Sequence, residues 1–438
     1  MKPMCDLLYG VKAANNLPPE REGHILLEGF SCGKRTAFRL GLADLSKGML
    51  CIGGTGSGKT NTINSIVKQL KRGMTPDDVM IIFDTKGDFY EKFYDKCRGD
   101  VIIGSSPRFR DMSAQWNVYQ EILIDGSDDE TVTLNVNEIS RSLFKPYESE
   151  QQPFFANAAR GVFSAYLLAC IRMSREDAEM REECLNNRTL RSYFHRAGLE
   201  EYTRLANAYS DLNAIKMYIG DGQNNQALGV LAEVLVMVRD CFFNVFGEKG
   251  DFSIRDFVRK KSGRTLFIEY DLSVGETLSP LYSLLIDLAL KDALGQQKSQ
   301  GNVYIIIDEF KLLPHLLHID DAVNFGRSMG VKVIAALQSI SQLFDMYGEQ
   351  KGRSITAGFN TLMAFRPNDS VTREYLRDYF GRNMVSETVL INRAPVTERR
   401  EGHTVEDWEL AAFRPGEAAV MINGEEPFLY RFDPYKEG

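Results

Sequence analysis

The stretch Met49-Leu50-Cys51-Ile52-Gly53-Gly54-Thr55-Gly56-Ser57-Gly58-Lys59-Thr60 decides how the rest of the chain is read. Four apolar residues run unbroken into a loop that fits G-x-x-x-x-G-K-[ST]. The segment after it, TNTINSIVKQLKRG, has helical spacing and a glycine stop. The chemistry of phosphate binding asks for these residue types at this spacing. Glycines let successive backbone N–H groups, from Gly53 through Gly58 and including those of Thr55 and Ser57, converge on phosphate oxygens that side chains would otherwise block. The helix then turns its positive end toward the same phosphates. Lys59 is placed to reach the β- and γ-phosphates, and the Thr60 hydroxyl to ligate Mg²⁺. The expected ligands are ATP and Mg²⁺.

A nucleotide-bound magnesium needs an acidic residue on its far side, at the end of a buried strand. Val303-Tyr304-Ile305-Ile306-Ile307-Asp308-Glu309 supplies one. Asp308 is expected to hold Mg²⁺ through water, and Glu309 to orient or deprotonate the attacking water. A GTPase or a small-molecule kinase has no need of the adjacent glutamate, so the pair favours ATP-driven motor chemistry. Two further residues gain interest. Gln338 ends the strand VKVIAAL, where an amide is in range of a γ-phosphate; taken alone it reads as a capping or surface glutamine. Arg327 precedes that strand and reads either as a salt-bridge residue or as an arginine finger for a neighbouring subunit. Asp84, in Asp84-Thr85-Lys86-Gly87-Asp88, closes another apolar strand at the sheet edge where ligands bind, and is counted with the nucleotide-binding residues. A plain turn suits the same residues.

Around these motifs the period of the apolar residues changes twice. MLCIGG, DVMIIFD and DVIIG read as buried strands separated by helix, which implies a mostly parallel sheet covered on both faces. Through the middle of the chain strand-like runs vanish, and PFFANAARGVFSAYLLACIRM, TLRSYFHRAGLEEYTRLANAY and QALGVLAEVLVMVRDCF all carry helical spacing. Strands then return in TLFIEYD, VYIIIDEF, VKVIAAL and TLMAF. The tail reads as a hairpin around Asn423-Gly424. The expected architecture is an α/β nucleotide-binding domain in two parts, residues 1–124 and 253–438, split by an all-helical insertion at 125–252.

The net charge of −8 and a pI near 5.4 argue against a surface that coats nucleic acid indiscriminately, though not against a local basic channel. Arg259-Lys260-Lys261 and Arg399-Arg400 are the basic candidates, with a solvated surface as the plain reading. Seven scattered cysteines without a Cys-x-x-Cys pair fit neither zinc nor a disulfide framework, and point to a reducing, cytoplasmic setting. The histidines show no metal spacing except His315 and His318, for which packing or exposure is expected. No apolar run reaches the ~18–20 residues that span a bilayer; the nearest, Ala227 to Val238, is interrupted by Glu233.

Together the motifs resemble the cytosolic ATPase of type IV secretion coupling proteins, the TraG/TraD-like conjugation ATPases within the wider HerA/FtsK group. The resemblance rests on GGTGSGKT, DTKGDFY, IIIDEF, GRSMGVKVIAALQSISQL and PGEAAVMINGEEPFLYRFDPY, in that order, from about Gly41 to Tyr435. It implies a RecA-like P-loop ATPase fold with an inserted all-α domain and a C-terminal β-hairpin. It matches Gln338 to the family's sensor glutamine and Arg327 to its trans-acting arginine. It also implies a homo-hexameric ring with DNA in a central channel, cargo or secretion-channel partners, and cargo recognition by the helical domain. Family members usually begin with two membrane-spanning helices that are not seen here, so membrane contact is expected only through a missing anchor or a partner. Two other readings stay open: a cytosolic HerA-like DNA translocase, and an ATP-switched receptor for secreted proteins.

Overall fold

The computed structural model describes residues 4–148, 151–219, 225–295, 301–391 and 394–437. In chain order its strands are β1 (Met4–Tyr9), β2 (Ile25–Ser31), β3 (Lys34–Leu40), β4 (Met49–Ile52), β5 (Val79–Asp84), β6 (Val101–Gly104) and β7 (Thr265–Glu269). They continue with β8 (Val303–Ile307), β9 (Val331–Leu337), β10 (Thr361–Phe365), β11 (Arg382–Ile391), β12 (Ala394–His403), β13 (Glu417–Ile422) and β14 (Phe428–Phe432). Eleven of them form one sheet, ordered β3-β2-β14-β13-β10-β4-β9-β8-β5-β7-β6. From β10 to β6 every neighbouring pair is parallel. Beyond β10 the pairs are antiparallel.

The parallel strands are apolar without alternation because both faces are covered. Along β4, Leu50 and Ile52 enter one core while Met49 and Cys51 enter the other; along β5, Val79, Ile81 and Phe83 oppose Met80 and Ile82. Helix Lys59–Gly73 covers the second face with Ile63, Ile66, Val67 and Leu70. Helix Gly275–Gly295 covers the first with Leu278, Leu281 and Leu285. The mostly parallel sheet expected from sequence is therefore present. The tail hairpin turns at Asn423 and Gly424, both at positive φ, with Glu425 N–H donating to Ile422 O at 3.0 Å. Three further residues separate that turn from β14. The sequence reading assigns no strand to β2, β3 or the β11–β12 hairpin, whose charged, mixed faces carry little periodic signal. β1 pairs with β11 in a separate three-stranded sheet.

Between β6 and β7 the regular elements among the described residues are all helices apart from one bridge between Trp116 and Phe252. TLRSYFHRAGLEEYTRLANAY forms two helices, Asn187–Arg196 and Leu199–Ala208, broken at Gly198, whose N–H donates to Glu201. Helix Pro153–Glu176 corrects one expectation: over Pro153–Arg175 it is long and apolar enough to cross a membrane, which Asn157, Arg160 and Ser164 obscure in the sequence. Most of that span is buried inside the protein. Cys32, Cys51, Cys97, Cys170, Cys184 and Cys241 are all free thiols.

One buried carboxylate fastens the two ends of the insertion. Glu121 accepts hydrogen bonds from Trp116 Nε1 (2.8 Å), Ser253 Oγ (2.8 Å) and Ile254 N (2.7 Å), and burial pushes its pKa up to about 7. A second tie crosses from the α/β part to helix Asp129–Phe144. His318 Nε2 lies 3.1 Å from Glu138 Oε1, and Glu138 also pairs with Lys291. The buried Asp287 accepts the backbone N–H groups of Leu317 and His318. Burial works to lower the His318 pKa, but Glu138 and Asp287 outweigh it and the net shift is upward. A raised pKa gives stabilisation that is fully present below the ordinary value near 6.5 and is lost as pH rises through the folded-state value. His318→Gln is therefore expected to cost ~1.5–3 kcal/mol in urea melts at pH 5.5, the scale of a charge-assisted hydrogen bond. The gap to the parent protein should close at pH 8.5; an equal gap at both values would refute the pairing.

Candidate active site

All seven parallel strands end on the same edge of the sheet, and the motif residues gather there. β4 lies between β9 and β10, so its loop starts hydrogen-bonded to both neighbours: Gly53 N–H donates to Leu337 O (3.0 Å) and Gly54 N–H to Arg366 O (2.8 Å). Gly58 sits at φ 113°, and a Cβ there would fall 2.9 Å from the backbone nitrogen of Gly416. Only glycine tolerates both conditions. Gly416 N–H in turn donates to Ser57 O at 2.8 Å, so the turn before β13 props the loop from outside. Sequence reasoning missed this buttress, whose one local signal is the turn-forming pair Pro415-Gly416.

Lys59 is buried at the start of its helix, with its ammonium donating to the carbonyls of Gly53 and Gly54. Burial lowers its pKa, while Glu309, Cys51 and Asp308 pull it back up and Lys86 adds to the lowering. The Thr60 hydroxyl donates to Asp308 Oδ1 (3.1 Å), and the Thr85 hydroxyl to Asp308 Oδ2 (2.9 Å). Burial raises the Asp308 pKa, and those two hydroxyls, Lys86 and Lys59 oppose the rise. Next to it, Glu309 Oε2 accepts from Gln338 Nε2 at 2.6 Å, and the Gln338 carbonyl oxygen faces the Thr55 hydroxyl at 3.4 Å. Gln338 thus bridges the loop and the acidic pair, an arrangement possible because β9 lies between β4 and β8.

The donor set suits magnesium. Among the described residues no group of three or more His, Cys, Asp or Glu side chains can hold a metal alone. One hydroxyl and one carboxylate, Thr60 and Asp308, match an ion that keeps several waters and completes its shell with phosphate oxygens. Glu309 Oε1 and Ser57 Oγ are buried without a hydrogen-bond partner, leaving polar atoms for a ligand to satisfy.

Two expected residues stand elsewhere. Asp84 is fully buried and its carboxylate is engaged by its own loop: Oδ1 accepts from Lys86 N (3.1 Å) and Gly87 N (3.0 Å), Oδ2 from Phe89 N (2.8 Å) and Tyr90 N (3.0 Å). Its carboxylate therefore shapes the turn beside the site. Arg327 is exposed before the start of β9, at the opposite edge of the sheet; the seven residues of β9 put it roughly 23 Å from Gln338 at ~3.3 Å per residue. It cannot serve its own chain's site. Of the basic candidates, Arg259 pairs with Asp125 and Asp292, and Arg400 with Glu387 and Glu406.

The chain matches the family described as "Type IV secretion-system coupling protein DNA-binding domain" over residues 43–406. It is 24% identical to coupling protein TraD of Escherichia coli (strain K12) over 365 residues, 80% of this chain and 46% of that protein. The chain thus spans about half the length of such curated relatives. In fold it is similar to plasmid coupling protein TrwB in complex with a non-hydrolysable ATP analogue, with a TM-score of 0.73 and 21% identity over 99% of this chain and 95% of that one. It is also similar to TrwB in complex with ADP and Mg²⁺, with a TM-score of 0.69 and 22% identity over 91% and 87%. The central mixed sheet, the helical insertion and a family match across most of its length agree, and the chain belongs to the type IV secretion-system coupling protein family.

Proposed function

We propose that this chain is the ATP-hydrolysing part of a coupling protein, a ring-forming motor that moves DNA or a DNA–protein complex toward a secretion channel. The observation that carries this reading is the convergence of Lys59, Thr60, Asp308, Glu309 and Gln338 on one sheet edge. TrwB, similar in fold, takes an ATP analogue and ADP with Mg²⁺. Family membership favours a coupling role over a cytosolic end-processing translocase. An intact water-activating glutamate favours turnover over a receptor that only switches.

In this mechanism the Gly53 and Gly54 amides tie the loop to its neighbouring strands, the loop amides after Gly54 and the Lys59 ammonium bind the phosphates, and Thr60 with Asp308 would hold Mg²⁺. The ion supplies neutralisation of charge that develops on the phosphates. Glu309 takes the proton of the attacking water. Burial raises its pKa while Gln338 and Lys59 oppose the rise, so it remains a competent acceptor held in one orientation. Gln338 fixes Glu309 on one side and touches the loop on the other, which lets loss of the terminal phosphate be felt at the acidic pair. Arg327, distant from its own site and in no ion pair among the described residues, is assigned to the site of the adjacent subunit.

Glu309→Gln is expected to lower ATP turnover ~10²–10⁴-fold, the range for loss of a general base, while nucleotide affinity in a filter-binding assay stays within a few-fold. Turnover near that of the parent protein would rule out Glu309 as the base. Arg327→Ala should bind ATP normally yet hydrolyse it ~10³-fold more slowly. Mixing it with Glu309→Gln subunits should restore part of the activity, since a site is intact wherever an Arg327→Ala subunit supplies Glu309 and its Glu309→Gln neighbour supplies Arg327. Normal turnover by Arg327→Ala alone, or no recovery in the mixture, would remove the trans assignment.

A further inference from the structure

The loop after β5 is built with a precision that its plain role as a turn does not need. Asp84 spends both carboxylate oxygens on four backbone N–H groups, including that of Lys86. Thr85 is buried and donates to Asp308. Gly87 follows in the left-handed region, at φ 74°. β5 and β8 are neighbours in register, Phe83 beside Ile307, and Asp308 N–H donates to Phe83 O. The backbone of residues 84–87 is thereby locked alongside the metal-binding aspartate. The one side chain of residues 84–86 left exposed is that of Lys86, and it makes no hydrogen bond or ion pair among the described residues.

We propose that Lys86 is a second phosphate-binding cation, which contacts the terminal phosphate of the bound nucleoside triphosphate from the β5 side, opposite Lys59. The proposal rests on the reading that the loop at Gly53–Thr60 binds ATP. Sheet order supplies the geometry. Lys59 approaches from β4, and β5 lies three strands away, beyond β9 and β8, at ~4.8 Å per strand. A phosphate chain cradled by the β4 loop and held through Mg²⁺ at Asp308 extends toward β5 with its terminal phosphate. Electrostatics agree: the Lys86 charge acts on both the Lys59 ammonium and the Asp308 carboxylate. Two ammonium groups that repel each other across a cleft are stabilised by a multivalent anion between them. A diphosphate, one group shorter, ends before it reaches Lys86.

The proposal is tested by the binding of ATPγS and of ADP, each with Mg²⁺, to the parent chain, Lys86→Ala and Lys86→Arg. A charge-assisted contact of ~1.5–3 kcal/mol corresponds to a ~10–100-fold effect. Lys86→Ala is therefore expected to weaken ATPγS binding at least ~10-fold and ADP binding less than about twofold, and Lys86→Arg to recover most of the loss. Thermal melts of the ligand-free variants should match the parent, as expected for an exposed side chain. Unchanged ATPγS affinity, or equal loss for both nucleotides, would overturn the assignment. So would a loss confined to DNA-stimulated turnover, which would make Lys86 a nucleic-acid contact. Failure of the parent chain to bind either nucleotide would sink the reading of the whole site, a result distinct from these.

Discussion

The site depends on one constraint of sheet order: β9 lies between β4 and β8, and all three run in the same direction. Parallel strands deliver their carboxyl ends to a single edge. The phosphate loop, Gln338 and the Asp308–Glu309 pair therefore occupy adjacent strand exits. The interleaved β9 separates loop and acids by two strand spacings, or about 10 Å, which is room for a phosphate chain and a hydrated metal. Gln338 spans that gap and touches both sides. Were β4 and β8 direct neighbours, the acids would crowd the loop and the glutamine would have no place.

Burial gives these groups their character. Lys59, Asp308 and Glu309 are all desolvated, which lowers the lysine pKa and raises both carboxyl pKa values; the carboxylates partly restore the lysine and the lysine partly restores each carboxylate, while Asp308 pushes Glu309 further up. The cluster is thus mutually dependent: removing one charge alters the protonation of the rest. Around it, three segments distant in sequence serve as scaffold. Asp84 pins the turn that presents Thr85 to Asp308, Gly416 supports Ser57, and Arg366 receives the Gly54 N–H. The helical insertion is moored separately, through Glu121 at its neck and through His318 with Glu138 at its side. His318 lies downstream of Glu309 on the same connecting segment, so the acidic pair and the insertion share a stretch of backbone.

Much of the fold was legible because buried parallel strands and their covering helices write strong local patterns. MLCI, VMIIFD, VYIII and VKVIAAL are continuous apolar runs between turn signals. The antiparallel extension was harder to read. β2, β3, β11 and β12 carry charges on their open faces, and β1 finds its partner at the other end of the chain. The membrane-length helix was obscured for the opposite reason, since scattered polar residues interrupt an apolar segment that is mostly packed inside the protein.

By itself the sequence determined which groups can do chemistry here. Only Gly53–Thr60 has the glycine and lysine spacing for a phosphate cradle, and only Asp308-Glu309 ends a buried strand with the acids to match. These are local properties, set by backbone conformational freedom and side-chain type. Tertiary structure decided which groups meet. It placed Gln338 against Glu309, spent the Asp84 carboxylate on its own loop, and left Arg327 at the far edge of the sheet. Strand order and burial decide these outcomes through pairings between residues hundreds of positions apart, which no local pattern encodes.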